Sequence, residues 1–205
     1  MTRSTARRRR HEKTRQAILD AARQIIVEQG PDELSMRTLA ARIDYSPSGL
    51  YEYFDSKEQI IQEVCSEGHW RLTQAMNRVD DTLPPEEYLL RIGEVYIDFA
   101  VENPELFRLM FASLPAEVPD EQLLSSRSSF RVLLQAIQRG IDSGVFKTQP
   151  GFELYEMAFT SWAMVHGIAM LRIYMPEGTS SFEAYKHQAL LALQRGLMNG
   201  SENGK

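Results

Sequence analysis

The stretch from Leu34 to Lys57, LSMRTLAARIDYSPSGLYEYFDSK, constrains the fold more than any other part of the chain. It reads as two short helices joined by a tight corner. Ser35 is placed to cap the first, because its hydroxyl can accept from an orphan backbone N–H two or three residues on. Leu39, Ala40 and Ile43 follow at helical spacing and form one apolar stripe. Asp44-Tyr45 interrupts the pattern, and Asp tolerates the left-handed or bridge geometry of a sharp corner better than most residues. Ser46 caps again, with Pro47 at the first helical position, where its missing N–H costs nothing. Leu50 and Phe54, four apart, face inward together, which turns Pro47, Ser48, Tyr51 and Glu52 outward. A short helix with small polar groups at its start fits a major groove in the helix-turn-helix manner.

The rest of the chain carries the same helical period, with no alternating run of strand length, so the predicted fold is all-α. A first helix is predicted from about Glu12 to Gln29, with Ile18, Ala21, Ala22, Ile25 and Ile26 as its stripe and Gly30-Pro31 as its stop. After the two short helices, a fourth starts at Ser56 or Lys57 and runs to about Val79. A fifth covers Glu86 to Val101, and a short sixth covers Glu105 to Phe111. A seventh spans Asp120 to Ser143, with loop from Leu114 to Pro119 before it. The eighth, Phe152 to Tyr174, is apolar nearly all round, which suits burial on most sides. A turn at Pro176–Ser180 leads to the last helix, Ser181 to Met198, and a frayed tail. The division predicted from this pattern is an arm and three-helix reader over residues 1–57, and a larger helical domain over 58–205.

Net charge is −5 over 205 residues, which taken alone argues against nucleic acid, but its distribution argues the other way. Seven basic residues (Arg3, Arg7, Arg8, Arg9, Arg10, Lys13, Arg15) stand against Glu12 in the first fifteen positions, giving +6 there and −11 elsewhere. Arg7 to Arg10 read as a DNA-contacting arm, the alternative being a solubilising tail or localisation-like patch. A single cysteine, Cys65, leaves no internal disulfide and points to a reducing, cytoplasmic setting. No apolar run is long enough for a membrane span, and no apolar segment follows the basic start, as a secretory signal would require.

The run Ser46-Pro47-Ser48-Gly49-Leu50-Tyr51-Glu52-Tyr53-Phe54, followed by Ser56-Lys57-Glu58, resembles the recognition helix of TetR-type transcriptional regulators, over roughly residues 12 to 60. The family's turn usually carries glycine where Asp44 stands. Trp162, His166 and Gly167 resemble the Trp-x-x-x-His-Gly signature of one subgroup of ligand domains. The resemblance implies a homodimeric, ligand-released repressor of a palindromic double-stranded operator, and a phosphate contact by Tyr51. From the residues themselves, Tyr53 and Lys57 are further phosphate candidates. Arg37 opposes the dipole of its helix, a cost that a DNA contact offsets, and Thr38 is near enough to reach phosphate too. Ser46 is a cap first and a contact second. Pro47 and Ser48 are the candidates for base readout, because short side chains let this helix end approach base edges. Tyr51 and Tyr53 as plain packing aromatics, and Lys57 as a surface ion pair with Glu58 or Glu63, are the bland alternatives. Glu52 repels phosphate and either accepts from a cytosine amine or pairs with a basic neighbour.

In the C-terminal part, Phe99, Phe107, Met110, Phe111, Met157, Trp162, His166 and Met170 are candidates for a cavity taking a hydrophobic or aromatic effector, the alternative being ordinary core. His166 reads either as a hydrogen-bonded core histidine or as a polar handle in that pocket. Leu190, Leu193 and Leu197 recur at helical spacing and are candidates for a four-helix dimer interface made by the last two helices. The four histidines are too scattered for a metal cluster. No catalytic signature, nucleotide loop or dinucleotide fingerprint stands in the sequence, so the reading is a non-enzymatic regulator without cofactor. The alternative is a regulator of the same kind with no small-molecule effector.

Overall fold

A computed structural model describes residues 2–112, 128–175 and 181–199. The expected loop at Leu114–Pro119, the start of the seventh helix and the Pro176–Ser180 turn lie outside them. The helices are α1 Thr2–Gln29, α2 Met36–Arg42, α3 Pro47–Leu50, α4 Lys57–Met76, α5 Pro85–Glu102, α6 Pro104–Phe111, α7 Ser129–Asp142, α8 Leu154–Tyr174 and α9 Phe182–Met198. A short 3-10 turn at Pro31–Glu33 joins α1 to α2. Among the described residues the extended pairing is one isolated bridge, Gln149 to Phe152.

Two compact units result. One runs to Gly68 and includes α6; the other comprises His69 to Glu102 with α7, α8 and α9. The first half of α4, which the sequence pattern assigns to the larger domain after residue 57, groups with the reader. Polar pairing explains why. Arg15 is paired with Glu63, and Arg23 reaches Glu67 at 2.6 Å, so α1 grips α4 by two ion pairs. α6 joins this unit too: a Cβ on Gly68 would lie 2.6 Å from the Met110 sulfur, so a larger residue there would displace that flexible side chain.

α1 begins ten residues ahead of the predicted Glu12. Nothing in the added segment breaks a helix, and arginine is among the better helix formers. Its inward face, with Ile18, Ala22, Ile25 and Ile26 buried, packs with α2 and, through Leu34, Leu39 and Ala40, builds the core of the first unit. In the second unit α8 packs on α5, α7 and α9. Met157, Ala158, Ser161, Val165, Ile168 and Ala169 form its buried face. Arg139 pins the segment before α5, donating to the Asp81 and Leu83 carbonyls with its guanidinium 5.3 Å from the Tyr88 ring.

The uniform apolarity of α8 predicts burial on most sides, and within one chain this is only half met. Tyr155, Phe159, Leu171 and Tyr174 are exposed. They share one stripe with Ala163 and Gly167, opposite the buried face.

Candidate nucleic-acid interface and buried cavity

The reader is held by caps and one strained residue. Ser35 accepts from the Thr38 N–H at 3.0 Å, and the Thr38 hydroxyl accepts from the Ser35 N–H at 2.9 Å, a reciprocal capping box. Asp44 takes the left-handed backbone at φ 52°, the geometry its side chain tolerates at a corner. The Ser46 hydroxyl accepts from the Gly49 N–H at 3.0 Å, and Pro47 opens α3. Leu50 and Phe54 are buried, and Pro47, Ser48, Tyr51 and Glu52 are exposed. The Arg15 guanidinium sits 4.9 Å from the Phe54 ring.

Arg37 is exposed on α2. The Thr38 hydroxyl is engaged in the capping box and with the Glu33 carbonyl at 3.0 Å, which commits it to structure before any phosphate. Tyr53 is half-buried rather than presented like Tyr51. Its ring stacks on His11 and its hydroxyl is 3.3 Å from that of Tyr45. Lys57 opens α4, where Ser56 accepts from the Gln59 N–H at 3.2 Å. Hydrogen bonds from the Glu58 backbone and then Ser56 hold the Glu58 carboxyl below its usual range, so an anionic group already occupies this helix start. Arg7 to Arg10 are exposed along the first turns of α1. The arm is thus helical where the sequence suggested an extension ahead of the helix.

The second unit encloses a cavity of about 30 Å³. Its wall comes from Met76 at the end of α4, from Leu89, Ile92, Gly93 and Tyr96 of α5, and from Phe130 and Leu133 of α7. Ser161, Trp162 and Val165 of α8 and Leu190, Leu193 and Gln194 of α9 complete it. Among the described residues, no charged side chain lines it. Gly93 allows the crossing, since a Cβ there would press on Val165 at 3.3 Å.

Beside this space runs a chain of hydrogen bonds. The Trp162 indole N–H donates to the Tyr96 hydroxyl at 3.2 Å, and that hydroxyl lies 2.9 Å from His166 Nδ1. The phenol donates to Nδ1 in the tautomer that carries its hydrogen on Nε2, and accepts there in the other. Burial pushes the Tyr96 phenol well above, and the His166 imidazole below, their ordinary values. Phe130 and Phe159 meet the Trp162 ring edge-on at 6.2 and 6.0 Å.

Of the eight predicted pocket residues, Trp162 lines the cavity and His166 is one hydrogen bond removed from it. Phe107, Met110 and Phe111 belong to the unit that carries the reader, and Phe107 packs there on Phe111 with ring centroids 4.8 Å apart. Phe99 and Met157 are buried away from the cavity wall, and Met170 does not line it. Leu190, Leu193 and Leu197 are all buried within their own chain, two of them in the cavity wall. Sequence reasoning missed Tyr96, one of two tyrosines amid the apolar residues of α5, whose hydroxyl was the available signal. Cys65, with its thiol pushed up to about 11 by burial, is no nucleophile. Among the described residues no group of His, Cys, Asp or Glu could hold a metal, and no helix is long and apolar enough to cross a membrane.

Residues 18–64 match the family model described as bacterial regulatory proteins, tetR family. Residues 89–185 match the tetracyclin repressor-like C-terminal domain. Among curated relatives, the chain is 28% identical over 94 residues to an uncharacterized HTH-type transcriptional regulator, YobS, of Bacillus subtilis, covering 44% of this chain and 48% of that one. The chain spans about half the length of the first curated relatives it matches. Among solved structures, it is similar to a tetR-family regulatory protein from Rhodococcus RHA1, with a TM-score of 0.69 and 20% identity over 92% of this chain and 99% of the other. It is also similar to RolR in complex with resorcinol, with a TM-score of 0.63 and 17% identity over 92% and 97%.

Two predictions follow from this geometry. Tyr51→Phe and Lys57→Ala should weaken binding to all duplexes about equally, whereas Ser48→Ala should shift preference at one or two base pairs, by about 1–3 kcal/mol each. Competition binding against a randomised duplex pool reads this, and a change of base preference in Tyr51→Phe would reverse the roles. His166 gives the second. Its folded-state value lies below the unfolded value near 6.5, so as pH falls the unfolded chain takes the proton first. Its contribution to stability is complete above about 6.5 and declines as pH drops toward the depressed folded value. In His166→Asn the amide oxygen can accept from Tyr96 without titrating. Urea midpoints between pH 7.5 and 5 should fall less in that variant than in the parent, and equal falls would show that His166 is not the group responsible.

Proposed function

The chain belongs to the TetR family of bacterial transcriptional regulators, and we propose that it acts as a homodimeric repressor released from a palindromic operator by a small, uncharged, hydrophobic molecule. The observation that carries the ligand half is the cavity: apolar walls, no charged lining among the described residues, and a Trp162–Tyr96–His166 chain at its side. Such a site suits a largely apolar ligand with a polar group to orient it. The resorcinol named with RolR is a molecule of that kind. At about 30 Å³ the space is on the scale of a water or two, not of an aromatic ring. Entry therefore has to widen it. α4 supplies Met76 to the wall and, at its other end, is tied to α1 by Glu63 and Glu67, so widening has a helix through which to reach the reader. A ligand shifts the equilibrium only by its differential affinity, about 1.4 kcal/mol for each tenfold loss of operator binding.

The small volume also favours a second reading, a regulator with no effector whose second unit is simply well packed. A panel of uncharged aromatic compounds including resorcinol, scored by thermal shift and by release from operator DNA, separates the two. Trp162→Ala should abolish release while sparing the DNA affinity of the free protein. Compounds that stabilise the protein yet never weaken DNA binding would sink the inducer reading.

For assembly, the supporting feature is the outward stripe of α8, with the exposed Tyr185 on α9. Tyr155, Phe159, Leu171 and Tyr174 flank Ala163 and Gly167, and open space surrounds the Gly167 position. Small residues between large apolar ones admit a close crossing by the same helix of a second copy. A dimer about a two-fold axis would set its two readers roughly 34–36 Å apart, or a multiple of a turn. Phe159→Arg should yield monomers in sedimentation velocity and a large loss of operator affinity; a dimer that survives Phe159→Arg and Leu171→Glu together would remove this face from the interface.

A further inference from the structure

α1 meets the aromatic pair of the reader corner through His11. His11 stacks on Tyr53, with ring centroids 4.6 Å apart and planes 29° apart. Tyr53 is in turn paired with Tyr45. The two are joined hydroxyl to hydroxyl at 3.3 Å and edge to face at 6.2 Å. None of the roles assigned above uses His11, Thr14 or Tyr45.

His11 marks the face of α1 turned to Tyr53, and Thr14, three residues on, shares it. The helix is unbroken from Thr2 through both. Carried back one turn in projection down the axis, Arg7 falls between His11 and Thr14. Arg8 and Arg10 fall on either flank, and Arg9 falls on the opposite side. A rigid helix rolls as a unit. Whatever fixes its roll at His11 also fixes which arginine faces the side on which the reader lies.

We propose that the His11–Tyr53 stack is a latch that sets the basic end of α1 at a defined angle beside the reader, and that Arg7 is the arginine it presents to a DNA phosphate while Arg9 is turned away. On a loose tail the four arginines would be interchangeable; on a latched helix they are not. Latching also lowers the cost of immobilising the arm on DNA, because the ordering precedes binding. His11 acts here as a positioning residue, by the flat contact of its ring with a phenol, and an aromatic ring of similar size can replace it.

The test is fluorescence anisotropy on a duplex recovered by selection from random DNA, repeated across salt concentrations. Arg7→Ala should lose about five- to tenfold in affinity and flatten the log–log salt slope by about 0.9, the signature of one lost phosphate contact. Arg9→Ala should stay within about twofold, as expected of a charge that makes no direct contact. His11→Ala should reproduce the Arg7→Ala loss, His11→Phe should restore binding, and the double variant His11→Ala with Arg7→Ala should bind no worse than either single one. Equal losses in Arg7→Ala and Arg9→Ala would make the segment a loose tail and overturn the proposal. So would an additive double variant, or a His11→Phe protein as weak as His11→Ala.

Discussion

A helix of four residues cannot hold itself together, and the reader of this protein is one. Too few internal hydrogen bonds exist in Pro47–Leu50 to offset the cost of fixing its backbone. Its shape is imposed from outside: Leu50 and Phe54 are buried, Ser46 caps the start, and Asp44 accepts a left-handed backbone so that the chain can turn the corner. The exposed positions of Ser48 and Tyr51 are the remainder of that arrangement. Moving Leu50 or Phe54 would turn both of them away from whatever the helix faces. The ion pairs from α1 to α4 extend the same frame, so the first half of α4 is part of the reader unit and not merely a connection leaving it.

The second unit is organised by a helix with two apolar sides. α8 buries one against α5, α7 and α9 and leaves the other exposed in the single chain. Trp162 sits at the edge between the sides: it lines the cavity, donates to Tyr96, and meets the exposed ring of Phe159 edge-on. Cover over the outer stripe and occupation of the cavity therefore act on the same indole. Polar groups in so apolar a setting must be paired with one another, and the Trp162–Tyr96–His166 chain does this without any charged member.

The locally determined features could be read before the structure. Caps at Ser35 and Ser46, the corner at Asp44 and the inward pair Leu50 and Phe54 depend on residues within a few positions of each other, where backbone sterics and short-range hydrogen bonds decide. Helix order and most helix ends were legible for the same reason, with Gly30-Pro31 and Asn103-Pro104 as punctuation. The start of α1 was not, because the arginine run carries two signals, a charge that suits a separate arm and a helix propensity that extends α1, and the second decides the local backbone.

What the sequence by itself determined was which side of each helix is apolar; what only tertiary structure decided was what that side meets. Leu190, Leu193 and Leu197 show the same spacing whether they face their own core or a second copy, and they face their own core. Phe107 and Met110 look like pocket residues next to Phe99, yet their helix belongs to the reader unit. The cavity wall is mostly leucine, isoleucine, valine and glycine, which carry no chemical mark of a site. Tyr96 and His166 are 70 residues apart and become partners only because α5 packs on α8. Hydrophobic burial is non-directional, so periodicity fixes a face but not its partner. The partner is chosen by the packing of the whole unit, where close crossings such as the one at Gly93 decide which helices can meet.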